Sequence, residues 1–269
     1  MRLDGRVALV TGAGRAQGRS HAVRLAEEGA DVIAVDICGA LSDAIPYAMA
    51  TVEDLDETSR LVSETGRRCL TFRADVRYVD QLGTAVDEGV AAFGRLDVVV
   101  ANAGVISSGN AWELSEDAWD VVIDVNLKGG WNTARASIPH LLSGGRGGSI
   151  VFISSAAGLR GHVPYAHYVA SKHGLVGLTR ALSNELARHQ IRVNSVHPTG
   201  VTGTGLNLSE PLEDLLGNHP LFGLGAMNTL IEAVEPRDVS NAVVWLASDE
   251  ARYVTGLQLT VDAGATTKP

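Results

Sequence analysis

Tyr168 and Lys172 stand four residues apart at the end of the stretch Ser154–Lys172, SSAAGLRGHVPYAHYVASK. In a helix that spacing places both side chains on one face. A lysine ammonium beside a phenol stabilises the phenolate, and is expected to bring its pKa down from about 10 towards neutrality, as general acid/base work at cellular pH requires. Ser155 lies thirteen residues before the tyrosine, just after the apolar run Ser149-Ile-Val-Phe-Ile-Ser154. Its hydroxyl is expected at a strand end, in reach of the reacting oxygen. His197, in His-Pro-Thr-Gly, reads as a packed strand-end residue rather than a catalyst, since the tyrosine and lysine already provide a proton path.

Groups of this kind need a rigid frame, and the chain supplies one. Strand-like runs near Val7–Val10, Asp31–Val35, Cys69–Ala74, Leu96–Ala101, Ser149–Ile153, Arg192–Val196 and Leu257–Val261 alternate with helix-length amphipathic segments. The pattern predicts an α/β doubly wound (Rossmann) fold, a seven-stranded parallel sheet with helices on both faces. Among the helices, one is expected from Ser115 to about Leu142 and another from Tyr165 to His189. At 269 residues the chain suits one domain, 1–269. A formal charge of −9 speaks against nucleic-acid or anionic-membrane partners. Cys38 and Cys69 lack a CxxC spacing and read as buried thiols, with no metal site. The N-terminal MRLDGRVALVTG runs straight into a strand and no apolar run approaches membrane length, so a cytoplasmic protein is expected.

The first strand leads into Thr11-Gly-Ala-Gly-Arg-Ala-Gln-Gly-Arg19, a glycine-rich turn opening a helix. Such a turn lets backbone N–H groups and a helix N-terminus hold a pyrophosphate. Asp36 closes the second strand, eighteen residues beyond Gly18. There a carboxylate accepts hydrogen bonds from an adenosine ribose and repels a 2′-phosphate, so NAD is expected over NADP. Arg15 opposes that preference, because a guanidinium in the turn suits the phosphate.

In these residues the chain resembles the short-chain dehydrogenase/reductase family, whose serine, tyrosine and lysine occur at the spacings of Ser155, Tyr168 and Lys172. The resemblance covers residues 3 to 264. It implies an NAD-dependent alcohol dehydrogenase or ketone reductase, with Asn126 completing the catalytic set as the helix asparagine of a proton relay. The family turn TG-x-x-x-G-x-G is matched by Gly12 and Gly18, with Arg15 and Gln17 between them, but its middle glycine is Ala16 here. Either Ala16 keeps an ordinary conformation or Gly14 shifts the loop, because a positive φ at alanine costs about 1 kcal/mol or more. The resemblance further implies cofactor contacts from Asp75 and Val76, from the turn Asn102-Ala103-Gly104, from Tyr168 and Lys172, and from Pro198 and Val201. A family threonine two residues after Val201 is replaced by Gly203, and Thr202 or Thr204 is expected to substitute.

Asp75 follows Asp36 by 39 residues, more than the family ordinarily has, and the excess falls in an apolar insertion at about 37–51. That insertion, with the sequence of the glycine turn, resembles the mycofactocin-associated, carveol-dehydrogenase-like branch. The resemblance implies tightly held NAD and mycofactocin as redox partner. An insertion so apolar reads as a lid or packing arm over the adenosine. A glycine- and leucine-rich segment at about 199–234 reads as a substrate lid, and its apolar character implies a small apolar secondary alcohol or its ketone. The family's paired long helices imply a homotetramer. Two rival readings are a 3-oxoacyl-carrier-protein reductase, which would favour NADP and a basic docking patch, and a catalytically silent NAD-binding protein, which would not need the intact serine, tyrosine and lysine.

Overall fold

The computed structural model describes residues 1–204, 216–219, 221–222 and 228–267. Runs of valine, isoleucine and alanine form seven strands: β1 (Val7–Thr11), β2 (Asp31–Asp36), β3 (Cys69–Arg73), β4 (Val98–Ala101), β5 (Gly148–Ile153), β6 (Ile191–Pro198) and β7 (Gln258–Val261). All pair in parallel, in the order β3-β2-β1-β4-β5-β6-β7. Neighbouring residues alternate between two cores. Ile150 and Phe152 enter one and Val151 and Ile153 the other, so strands that look uniformly apolar still obey the period of two.

Helices cover the faces: α1 (Ala16–Glu27), α2 (Val52–Glu64), α3 (Val79–Phe93), α4 (Glu116–Ile123), α5 (Gly129–Gly144), α6 (Ala166–Glu185) and α7 (Pro236–Ala247). α1 and α7 pack together on one face, and α3 with α5 on the other. The single helix expected from Ser115 is broken into α4 and α5 by a wider π-helical turn, Asp124–Lys128. The helix expected to run to His189 tightens after Glu185 into a 3-10 turn, Ala187–His189. β4 starts at Val98 rather than Leu96, because Asp97 uses its carboxylate to accept the Val7 amide at 2.9 Å.

The strand order reverses between β1 and β4. Loops leaving the carboxyl ends of those strands part in opposite directions, which opens a crevice there.

Candidate active site

That crevice is a cleft of about 390 Å³. Its floor is the glycine turn. Gly18 admits no side chain, because a Cβ there would stand 1.8 Å from the Gly12 carbonyl oxygen. Ala16 has φ +47°, so the ordinary conformation is excluded and the chain keeps the left-handed turn at alanine's steric expense. Gly14 is needed for space: a Cβ would lie 2.7 Å from the Cβ of Ala50 and 3.0 Å from Asp36 Oδ2. The turn is gripped from α2, where Thr58 Oγ1 donates to Ala13 O at 2.8 Å and Arg19 Nη2 donates to Asp54 O at 2.7 Å. No side chain caps α1 and no acidic residue occupies its first turn, which leaves a helix N-terminus suited to an anion.

Asp36, Asp75 and Val76 line one end of the cleft. Asp36 is held by two backbone amides, Gly14 N at 2.9 Å to Oδ2 and Cys38 N at 3.1 Å to Oδ1. Asp75 is clamped by the Arg77 guanidinium, 2.6 Å away. The insertion leaves Asp36 as an extended strap without helix or strand until Thr51, whose side chain forms a capping box with Asp54 and starts α2. Ile45 and Ala50 are buried, and Leu41, Tyr47 and Met49 pack against the core. The strap reaches the far wall: Tyr47 Oη accepts from Ile106 N at 2.9 Å and Ser42 Oγ donates to Asp117 Oδ2 at 2.5 Å. The Arg15 guanidinium sits 6.0 Å above the centroid of the Tyr47 ring.

At the other end of the cleft the chemistry-bearing residues converge. Ser155 follows β5 and caps a 3-10 turn, Ala156–Gly158, with its Oγ accepting from Ala157 N at 3.1 Å. Its own proton is therefore left to donate. It hydrogen-bonds Tyr168, which with Lys172 projects from α6. Lys172 is 4% exposed, and its Nζ donates to Ile153 O at 2.9 Å. Burial brings the Lys172 ammonium down to about 8.

The expected depression of the tyrosine is not found. Burial pushes the Tyr168 phenol up, and only the Ser155 hydrogen bond opposes it. Lys172 Nζ lies 5.5 Å from the Tyr168 ring centroid and donates to a backbone carbonyl, and its charge does not offset the cost of desolvation.

Asn126 sits in the π turn. Its Oδ1 accepts from Val105 N at 2.8 Å, and its Nδ2 donates to Val105 O at 2.9 Å and to Ser171 Oγ at 3.1 Å. Asn102 Nδ2 donates to Thr11 O at 2.9 Å and Gly12 O at 3.2 Å, bracing β4 against β1 beneath Ala103 and Gly104. Gln17, Pro198 and Val201 also line the cleft.

The family model described as enoyl-(acyl carrier protein) reductase matches residues 12–266. The (−)-trans-carveol dehydrogenase of Rhodococcus erythropolis is 48% identical over 276 residues, covering 99% of each chain. The chain belongs to the short-chain dehydrogenase/reductase family. A carveol dehydrogenase from Mycobacterium avium, solved in complex with NAD, superimposes with a TM-score of 0.92 at 46% identity over 99% of each chain. A short chain dehydrogenase from Mycobacterium paratuberculosis, solved bound to NAD, gives 0.96 at 46% identity over the whole of both chains.

As a short-chain dehydrogenase/reductase the protein has Gly203 where the resemblance implied a threonine, and the backbone there suits glycine. Gly203 has φ +65°, a left-handed conformation that a β-branched threonine would strain. Of the substrate lid expected at 199–234, residues 205–215, 220 and 223–227 lie outside the described residues. Its base is a single parallel bridge between Val201 and Val234. Phe222 packs on Tyr165, ring centroids 6.2 Å apart, and both line the cleft with Ile106 and His162. Sequence reading placed Phe222 in the apolar substrate lid but missed Ile106, His162 and Tyr165, which reach the same wall from two other segments of the chain. It also missed Tyr47 as a site residue, although a phenol in an otherwise apolar insertion was a signal that the segment ends on a polar partner. Among the described residues no helix is long and apolar enough to cross a membrane.

Proposed function

We propose that the protein is an NAD-dependent dehydrogenase that interconverts a small, largely apolar secondary alcohol and its ketone. One observation carries this reading: Ser155, Tyr168 and Lys172 meet at one end of a cleft whose other end carries a carboxylate and an uncapped helix N-terminus.

The residues present fit NAD. The first turn of α1 suits a pyrophosphate, since the backbone of a glycine turn approaches closely and no side chain already fills it. Asp36 suits the diol of an adenosine ribose and disfavours a phosphate in its place. Asp75 and Val76 would meet the adenine, and Asn102, Ala103 and Gly104 would pass beneath the cofactor. Gln17, Pro198 and Val201 complete its walls, with Lys172 on the nicotinamide ribose. Bound NAD supplies a hydride acceptor.

In alcohol oxidation Tyr168 Oη takes the hydroxyl proton and Ser155 Oγ donates to the reacting oxygen. One of the three N–H groups of Lys172 is held by Ile153 O; two are left for the ribose and for the proton path. Asn126, bonded to Val105 and Ser171, fixes the π turn beside this path. The apolar wall of Tyr165, Phe222 and Ile106 supports an apolar substrate, as do the relatives named for carveol.

The strap over the cleft supports the narrower reading that NAD is held through turnover and that mycofactocin takes the electrons. Exposed Trp119 on α4 and Trp131 on α5 support a homotetramer built on those helices. The test is direct. Protein passed through a desalting column is denatured and its supernatant weighed by mass spectrometry, and the native protein is given secondary alcohols with added NAD or with an artificial electron acceptor. Retained cofactor and acceptor-linked turnover are expected. Cofactor-free protein with ordinary saturation by added NAD would reject the held-cofactor reading, and no alcohol-dependent turnover in either assay would reject the dehydrogenase.

A further inference from the structure

His197 is fully buried on β6, one residue before the cleft-lining Pro198. Its Nδ1 lies 2.8 Å from the carbonyl oxygen of Ser155 and its Nε2 lies 2.8 Å from Ser195 Oγ. A carbonyl only accepts, so Nδ1 carries the proton, and bare Nε2 accepts from the serine hydroxyl. The two partners thus set the tautomer. Burial holds the ring neutral, bringing it down to about 4; the Ser155 hydrogen bond and Asp262 raise it, and Lys172 and His173 lower it further. The donor at Nδ1 is therefore present across the ordinary working range.

The fold explains why a side chain is needed here. The ladder between β5 and β6 ends where Ser154 N donates to Val196 O at 2.8 Å. Pro198 has no N–H with which to continue it. Beyond that point β5 bends into the 3-10 turn, and Ser155 O accepts from Gly158 N at 2.8 Å and from the imidazole. Both lone pairs of this carbonyl are then used. Its residue's Oγ accepts from Ala157 N, which aims the hydroxyl proton at Tyr168.

We propose that His197 is a positioning residue for the reaction: it fixes the Ser155 peptide against the Pro198–Val201 turn and so sets the direction in which the Ser155 hydroxyl donates. This rests on the dehydrogenase reading above. The ring does not line the cleft, and it acts through the Ser155 peptide.

The experiment compares wild type with His197→Ala, His197→Asn, His197→Gln and Ser195→Ala, measuring kcat, KM, retained NAD and the pH profile of alcohol oxidation. An asparagine amide places an N–H near the position of Nδ1, whereas glutamine places it near Nε2. Misplacing a hydrogen-bonding group in an active site costs on the order of ten- to hundred-fold. The alanine and glutamine variants are expected to lose that much in kcat with KM and NAD content little changed, and asparagine to restore most of it. The acid limb should move to higher pH in the alanine and glutamine variants, because the Ser155 hydrogen bond is what lowers Tyr168. Lys172 on the same helix and Tyr47 from the strap also face that phenol and are unaltered. Wild-type kcat in His197→Ala, or equal losses in the asparagine and glutamine variants, would overturn the proposal. If the His197 variants do not fold, Ser195→Ala decides: it releases the tautomer and should lower kcat several-fold, and an unchanged kcat would overturn it. A wild-type protein without alcohol turnover would instead show that the dehydrogenase reading itself is wrong, and a fully active Tyr168→Phe that Tyr168 is not its acid/base.

Discussion

At the scale of single residues, burial and hydrogen bonding decide what each group can do. Tyr168 is pushed up by desolvation, so alcohol oxidation, which needs the phenolate, should rise with pH, and ketone reduction, which needs the phenol, should fall as pH climbs. A pH–rate profile in both directions checks this. Tyr168→Phe should cost about two to four decades in kcat, the usual contribution of a positioned proton donor or acceptor, while retained NAD stays near one per chain. Asp36 calls for a careful substitution, since it also receives the Gly14 and Cys38 amides. Alanine would strand both donors, so Asp36→Asn is the cleaner variant. It removes the charge and should shift the ratio of catalytic efficiencies towards NADP, assisted by Arg15; an unchanged ratio would make Asp36 only a turn residue. Ala16 is in a left-handed conformation at φ +47°. Ala16→Gly should therefore stabilise the protein by roughly 0.5 kcal/mol in urea denaturation, the relief of left-handed strain being partly offset by glycine's larger unfolded-state entropy.

At the scale of elements, the strap is the part most specific to this chain. It is anchored at both ends, by the Asp36 carboxylate where it leaves β2 and by the Thr51 capping box where it enters α2. Its middle is pinned by the Ile106 amide donating to Tyr47 Oη, by Ser42 Oγ donating to Asp117, and by the Arg15 guanidinium over the Tyr47 ring. Removing the hydroxyl leaves the ring packed and the amide without that acceptor, a change worth roughly 1 to 3 kcal/mol. If the strap gates the cofactor, Tyr47→Phe should speed NAD loss by about ten-fold or more and raise turnover with added NAD. The readout is NAD retained after timed dialysis. Equal retention in the two proteins would assign the strap to packing alone. Deleting Gly39 to Met49 is a harsher version, because it also removes buried Ile45 from the core.

At the scale of the whole molecule, several histidines are buried neutral. Burial brings His21 down to about 3 and His197 down to about 4, and lowers His162 and His167 as well. The unfolded chain binds these protons near pH 6.5 while the folded chain refuses them. Stability is therefore fully present above about pH 6.5 and is lost as pH falls towards 4. Thermal unfolding across that window should show a falling Tm. His21→Asn should flatten the slope, since an amide can serve Ser240 Oγ, 2.8 Å from the ring, without titrating. For assembly, Trp131→Glu is expected to convert a tetramer to smaller species by size-exclusion chromatography with light scattering, and an unchanged mass would place the interface elsewhere.

The order of the elements, the parallel sheet and many of the residues that line the cleft were legible in the sequence, because they depend on local pattern. Runs of valine and isoleucine mark strands buried on both faces, glycine spacing marks a turn that no side chain fits, and a tyrosine four residues before a lysine shares its helix face. The strand ends and the break between α4 and α5 were less legible, since a π turn at Asp124–Lys128 is stabilised by Asn126 bonding to Val105 and Ser171, contacts 21 and 45 residues away. Only the tertiary structure decided the state of Tyr168, because the cost of burying a phenol depends on what surrounds it, and Lys172 turned out to be directed at Ile153 O. It alone placed Ala50 against Gly14, Tyr47 against Ile106 and His197 behind Ser155. Each of these is a contact between chain segments 36 to 59 residues apart, and a sequence read one neighbourhood at a time holds no physical term that couples them.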